Sequence, residues 1–119
     1  MKRHDALAAL AALAQDNRLD VFRLLVEAGR EGMAAGSVAE ALKLAPNTLT
    51  FHFDRLRDAG LVTVRRDGRS MIYTARYDTM NALLGYLTEN CCRRHAEQCA
   101  ATANAIPTPA RARRKEPVS

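Results

Sequence analysis

The run that decides the fold lies mid-chain: Ala45-Pro46-Asn47-Thr48-Leu49-Thr50-Phe51-His52-Phe53-Asp54-Arg55-Leu56-Arg57-Asp58-Ala59-Gly60-Leu61-Val62, continued by Thr63-Val64-Arg65-Arg66-Asp67-Gly68-Arg69-Ser70-Met71-Ile72-Tyr73. Pro46 and Asn47 open a helix and Gly60 closes it. Within it Leu49, Phe53 and Leu56 recur at i, i+4 and i+7, which makes one buried stripe. The other face carries Asn47, Thr48, Thr50, Phe51, Arg55 and Arg57, hydrogen-bonding and cationic groups suited to base edges and phosphates. His52 falls between the two faces, the place of a packing histidine. Two β-rich runs then flank Asp67-Gly68, a dipeptide that favours a tight type I′ hairpin, and Arg65, Arg66 and Arg69 ring that hairpin.

Upstream, Leu44-Ala45-Pro46 is a tight turn preceded by a short helix over 37–43, with Val38, Ala39 and Leu42 pointing inward. A loop over 30–36 separates it from a helix over 18–28 that Asp16-Asn17 caps and Gly29 closes. The inner face of that helix is Val21, Leu24, Leu25 and Ala28, with Phe22 at its edge. Short helix, turn and capped helix is the helix-turn-helix order, and the adjoining cationic hairpin adds a wing. The expected fold is therefore mainly α (α+β), a winged helix-turn-helix of order α-α-α-α-β-β-α.

Two further helices flank this unit. The first, over 5–15, is rich in alanine with a narrow seam of Leu7, Leu10 and Leu13. The last starts at Tyr77, and Met80, Leu83, Leu84 and Leu87 give it an apolar face that Cys91 continues. These faces either cap the core of one chain or pack across a two-fold axis. The expectation is the second, a homodimer through the first and last helices. It would set two reading helices about 34 Å apart, one turn of DNA, on a palindromic site.

The chain has 119 residues and a formal charge of +5, enough length for one domain with a modest core. The division expected is a DNA-binding and dimerisation domain over 1–103 and a disordered basic tail over 104–119. Pro107, Pro109 and Pro117 mark that tail, with Arg111, Arg113, Arg114 and Lys115 as its charge. No run approaches the ~18 apolar residues of a membrane span. Lys2, Arg3 and the alanines behind them imitate a secretory signal, but Asp5 and the leucine period of three suit an amphipathic helix better. Three cysteines near one end make a poor disulfide framework, so a reducing cytoplasm is the expected compartment.

Those cysteines form the stretch Cys91-Cys92-Arg93-Arg94-His95-Ala96-Glu97-Gln98-Cys99. Clustered thiols point to a soft-metal or metalloid site. In an unbroken helix Cys92 and Cys99 would stand about 10.5 Å apart along the axis. Sulfurs that share one ion must come within roughly 4 Å of each other, so the helix has to end near Cys92 and the chain fold back. Arg93 and Arg94 would favour thiolate over thiol, or simply form a solvated basic patch. His95 makes an i, i+4 pair with Cys99 suited to zinc, or is a plain surface residue. Cys91 also reads as a small buried hydrophobe.

Over about residues 7–99 the chain resembles the ArsR/SmtB metalloregulatory repressors. The resemblance rests on Arg18-Leu19, on Thr50-Phe51-His52-Phe53 through Leu56, on Ala59-Gly60-Leu61-Val62 and on Arg65-Arg66-Asp67-Gly68-Arg69. The closing Tyr86-Leu87-Thr88-Glu89-Asn90-Cys91-Cys92 looks like the arsenic-responsive branch. The resemblance implies a dimeric repressor that leaves its operator when the ion binds. It implies Asn47, Thr48, Thr50 and Phe51 in the major groove, with Arg66 and Arg69 on the wing. The Cys-Val-Cys motif that one branch carries on its reading helix has no counterpart here. Phe51 stands where glutamine is frequent, which leaves an apolar contact with a thymine methyl.

The expected function is an arsenite- or antimonite-responsive repressor that binds double-stranded operator DNA as an apo dimer and needs no cofactor to do so. Trivalent arsenic or antimony would be the inducer, taken by Cys91, Cys92 and Cys99. The alternative keeps DNA binding and makes the thiols a redox switch or a zinc/cadmium site. An enzyme such as a thiol-based arsenate reductase is not expected: no phosphate-cradling glycine loop lies near the cysteines, and no base-and-orienter set accompanies them.

Overall fold

The structure, a computed structural model, describes residues 1–92. His95, Cys99, the expected domain edge at 103 and the expected tail over 104–119 lie outside the described residues. Helix α1 spans Arg3–Leu13 and α2 spans Asp16–Ala28. A 3-10 turn over Gly29–Glu31 leads into a two-residue strand β1, Met33–Ala34, then α3, Ala35–Leu42. The reading helix α4 is Pro46–Asp58, followed by β2, Val62–Asp67, β3, Ser70–Ala75, and α5, Tyr77–Thr88. The winged helix-turn-helix is present, with one strand more than expected. Met33 and Ala34 pair with Tyr73 and Ile72, so the antiparallel sheet runs β1-β3-β2.

Local chemistry sets the element ends. The α2 N-cap is Gln15 rather than Asp16-Asn17: its side-chain oxygen accepts from the Arg18 backbone N–H at 2.9 Å, and Asp16 is already helical. Gly29 closes α2 at φ 79°, as glycine at a helix exit does. Lys43 ends α3 in the left-handed region, and the Leu44 N–H donates back to the Ala39 carbonyl at 3.0 Å. Pro46 then sits in the first turn of α4, where its missing N–H costs nothing.

The hairpin also departs from expectation by one position. Asp67 pairs with Ser70, so the turn residues are Gly68 and Arg69. Gly68 has φ 64° and Arg69 is not among the positive-φ residues. That is the sign pattern of a II′ turn, with glycine first, rather than the expected I′ turn.

The core gathers Val21, Phe22 and Leu25 of α2, Val38 of α3, Leu49, Phe53 and Leu56 of α4, and Leu61, Val62 and Tyr73 beside them. Leu24, Ala39 and Leu42 pack against it half-buried. Helix α1 fully buries Ala6, Ala9 and Ala12. Of its seam, Leu13 packs half-buried against the core, while Leu7 and Leu10 face away, 55% and 39% exposed. Helix α5 buries Leu83 but leaves Leu84 and Leu87 45% and 55% exposed. Small side chains let α1 approach closely, and Leu7 and Leu10 are left for something else. The base of α5 is fastened to α2, because the Tyr77 hydroxyl donates to the Val26 carbonyl at 2.9 Å. Among the described residues no helix is long and apolar enough to cross a membrane.

Candidate nucleic-acid interface

Helix α4 divides into two faces. Leu49, His52, Phe53 and Leu56 are buried, while Asn47, Thr48, Thr50, Phe51, Arg55 and Arg57 are all exposed. Ala45 is the N-cap and no side chain caps the helix, so the first turn keeps unpaired N–H groups at the positive end of its dipole. Such an end suits a phosphate oxygen. The Thr50 hydroxyl donates to the Pro46 carbonyl at 3.0 Å, which leaves its oxygen to accept from a base amino group.

Phe51 and Arg55 act as a unit. The guanidinium carbon of Arg55 lies 4.9 Å from the Phe51 ring centroid, within cation–π range. Arg57 is paired across the helix surface with Asp54 at 3.5 Å. Asp54 and Asp58 are exposed beside these groups, and sequence reasoning passed over them. Their spacing from Asn47, seven and eleven residues, places them on its side of the helix and was legible in advance. Carboxylates repel phosphates, so the N-terminal half of α4 is the half suited to a groove.

The wing arginines hold different posts. Arg65 donates to the Glu31 carbonyl at 3.0 Å and to the Thr74 hydroxyl at 3.5 Å, strapping the wing to the 3-10 turn. Arg66 donates to the Gly68 carbonyl, two residues on at the start of the turn, at 3.2 Å. Arg69, in the turn itself, is exposed.

His52 is 5% exposed, and its Nδ1 has no partner among the described residues. Burial lowers its pKa from the ordinary 6.5, and the positive charge of Arg18 lowers it further. The sequence suggested a packing histidine with its hydrogen bonds satisfied; the ring does pack in the core, but its Nδ1 is unsatisfied among the described residues.

Cys91 and Cys92 lie beyond the last helix rather than on it. Helix α5 stops at Thr88, earlier than the expected stop near Cys92, so Cys91 does not extend its apolar face. The Cys91 N–H closes a turn onto the Thr88 carbonyl at 2.9 Å, and Asn90 and Cys92 take φ 60° and 55°. The two sulfurs are 3.6 Å apart. Among the described residues no group of three His, Cys, Asp or Glu could hold a metal ion, and Cys99 lies outside them.

Known proteins are similar to this chain in sequence and in fold. The Helix-turn-helix domain family matches residues 13–65. The uncharacterized HTH-type transcriptional regulator YceK of Bacillus subtilis (strain 168) is 36% identical over 77 residues, 64% of this chain and 76% of that one. The ArsR-like transcriptional regulator from Rhodococcus sp. RHA1 superposes with a TM-score of 0.65 at 23% identity, covering 87% of this chain and 93% of that one. The homodimeric winged helix-turn-helix DNA-binding domain Mb0332 from Mycobacterium bovis, described as a possible ArsR-family regulator, gives a TM-score of 0.60 at 24% identity, over 77% and 85%.

Proposed function

The chain belongs to the HTH-type transcriptional regulators and has an ArsR-type winged-helix fold, and from that premise we propose that it is a cytoplasmic repressor that binds operator DNA as an apo homodimer and releases it when As(III) or Sb(III) binds at Cys91, Cys92 and Cys99. The observation that carries the DNA half is the two-faced α4, a buried Leu49/Phe53/Leu56 stripe behind an exposed row of donors and cations. Asn47, Thr48, Thr50 and Phe51 enter the major groove, Arg55 and Arg57 flank it, and Arg66 and Arg69 take phosphates on the wing. The outward leucines of α1 and α5 support a dimer through those helices, which pack against each other within the chain. The homodimeric state of the Mycobacterium bovis domain supports it too.

For the thiol half, the 3.6 Å separation of Cys91 and Cys92 suits two sulfurs sharing one ion through bonds near 2.3 Å. Cys99 would complete the donor set. Ion capture acts at the end of α5, on the helix that joins the two subunits, and so alters how the reading helices are spaced. A coupling of about 1–3 kcal/mol would weaken operator binding about 5–150-fold.

The test is arsenite titration into a fluorescent operator complex, followed by anisotropy. The expected result is release that disappears when the cysteines become serine. Release unchanged with serine at all three positions rejects the sensor. Failure to bind duplex from upstream of its own gene rejects the repressor. The same 3.6 Å separation favours a second reading, a thiol-redox switch, for which peroxide rather than arsenite would release the DNA.

A further inference from the structure

On the side of α4 that faces α1 lies an open pocket of about 570 Å³. Its size is that of small-molecule sites. The α1 side of its lining is three alanines, Ala8, Ala11 and Ala12. The Phe51 ring supplies an aromatic wall. Two guanidinium groups line the same space, Arg18 from α2 and Arg55 from α4.

Both cations are positioned in advance. Arg18 is half-buried, and its Nε donates to the Ala12 carbonyl at 2.7 Å, which leaves its terminal nitrogens for another partner. Arg55 rests over Phe51 at 4.9 Å. Neither forms a salt bridge among the described residues, although Asp58 also lines the cavity. The carboxylate of Asp58 offsets one of the two cations, so the wall has a net positive charge suited to a monoanion. An apolar surface, a ring to stack on and a guanidinium fork together select a flat apolar molecule with one carboxylate.

We propose that this cavity binds a small aromatic monocarboxylate, and that its occupancy opposes DNA binding. The ligand would engage Phe51 and Arg55, the residues that the DNA reading uses, so the antagonism rests on that reading while the binding does not. The chain would then have an effector site that reaches the reading helix without passing through the thiols.

The experiment begins with NMR of the isotope-labelled protein, without DNA, titrated with 1-naphthoate, with the uncharged 1-naphthalenemethanol and with inorganic phosphate. Expected is a saturable shift of the Arg18 and Arg55 Nε–H signals and of the amides near Ala11, half-complete at about 1 mM or below. The alcohol and phosphate should each bind at least about tenfold more weakly, since each lacks half of the recognition. Arg18→Gln should weaken naphthoate about tenfold. Ala11→Leu, at an exposed helical position, should block the cavity without relying on a change at Arg18. No saturable shift, equal binding of the alcohol or of phosphate, or full binding by Ala11→Leu overturns the site.

Anisotropy with operator DNA tests the second half. Saturating naphthoate should weaken the complex about tenfold, within the usual range of coupling. Unchanged operator affinity with the site filled overturns the antagonism. A protein that takes naphthoate but never binds duplex supports the site and removes the DNA reading instead.

Discussion

The Phe53 ring lies flat on the Tyr73 ring, 3.6 Å between centroids and 3° from parallel. One ring belongs to α4 and the other to the middle strand of the sheet, so this stack joins the two elements that the proposed function offers to DNA. Phe53 is 1% exposed. Phe53→Ala should cost about 3–5 kcal/mol in urea unfolding, through lost transfer energy and the cavity left behind. A loss below about 1 kcal/mol would mean that the stack contributes little.

Two glycines with similar backbones should respond differently to alanine. Gly32 and Gly68 have φ 74° and 64°. A Cβ on Gly32 would collide with the Tyr73 carbonyl and stand 2.6 Å from the Thr74 hydroxyl, whereas one on Gly68 meets nothing within 4 Å. Gly68→Ala should cost about 1 kcal/mol, the conformational penalty alone. Gly32→Ala should cost clearly more, because β1 cannot approach β3 without moving backbone. Paired thermal melts compare them; equal losses would refute the steric account.

Salt dependence separates the wing arginines. Arg66→Ala and Arg69→Ala should each reduce the slope of log K against log salt by about one, the signature of a lost phosphate contact. Arg65→Ala should weaken operator binding while leaving the slope unchanged, since its bonds to Glu31 and Thr74 hold the wing in place. A slope change at Arg65 would make it a phosphate ligand.

His52 makes stability depend on pH. Its folded pKa lies below the ordinary 6.5, through burial first and the Arg18 charge second. The unfolded chain therefore takes up this proton before the folded one does. Stability is complete above about 6.5 and falls as pH drops below it, by at most about 1.4 kcal/mol per pH unit from this group. The decline ends once the folded pKa is passed. Removing the ring with His52→Leu should flatten the unfolding free energy over that window; an unchanged slope would assign the loss to carboxylates.

The outward leucines predict assembly. Leu87→Glu, at a position 55% exposed in the single chain, should leave helix content intact and shift sedimentation from dimer to monomer. A dimer that persists would move the two-fold contact elsewhere.

Much of this was legible because Leu49, Phe53 and Leu56 repeat at a helical period and Pro46 and Gly60 bracket them. Strand β1 was not: Met33 and Ala34 are too few to show alternation, and their pairing depends on a backbone approach that only Gly32 permits. The hairpin was found but its turn was shifted, because Asp67 pairs with Ser70 and so puts Gly68 at the first central position, where a II′ turn needs glycine, instead of the second. The inward alanines of α1 were hidden behind its more conspicuous leucines. The early end of α5 carries no glycine or proline; Asn90 adopts the left-handed conformation instead. In α4 the exposed donors were read correctly as a face, yet Asp54 and Asp58 share it, and a purely cationic picture missed them.

The hydroxyl of Tyr77 also grips the Leu25 carbonyl, at 3.4 Å, alongside that of Val26. This makes the first turn of α5 a pivot anchored in the body of the fold. From that pivot the helix forms a lever about 18 Å long, its twelve residues at 1.5 Å each. A swing of about 10° at the pivot sweeps the far tip through roughly 3 Å by that length, a displacement comparable to the slip of one side chain past another.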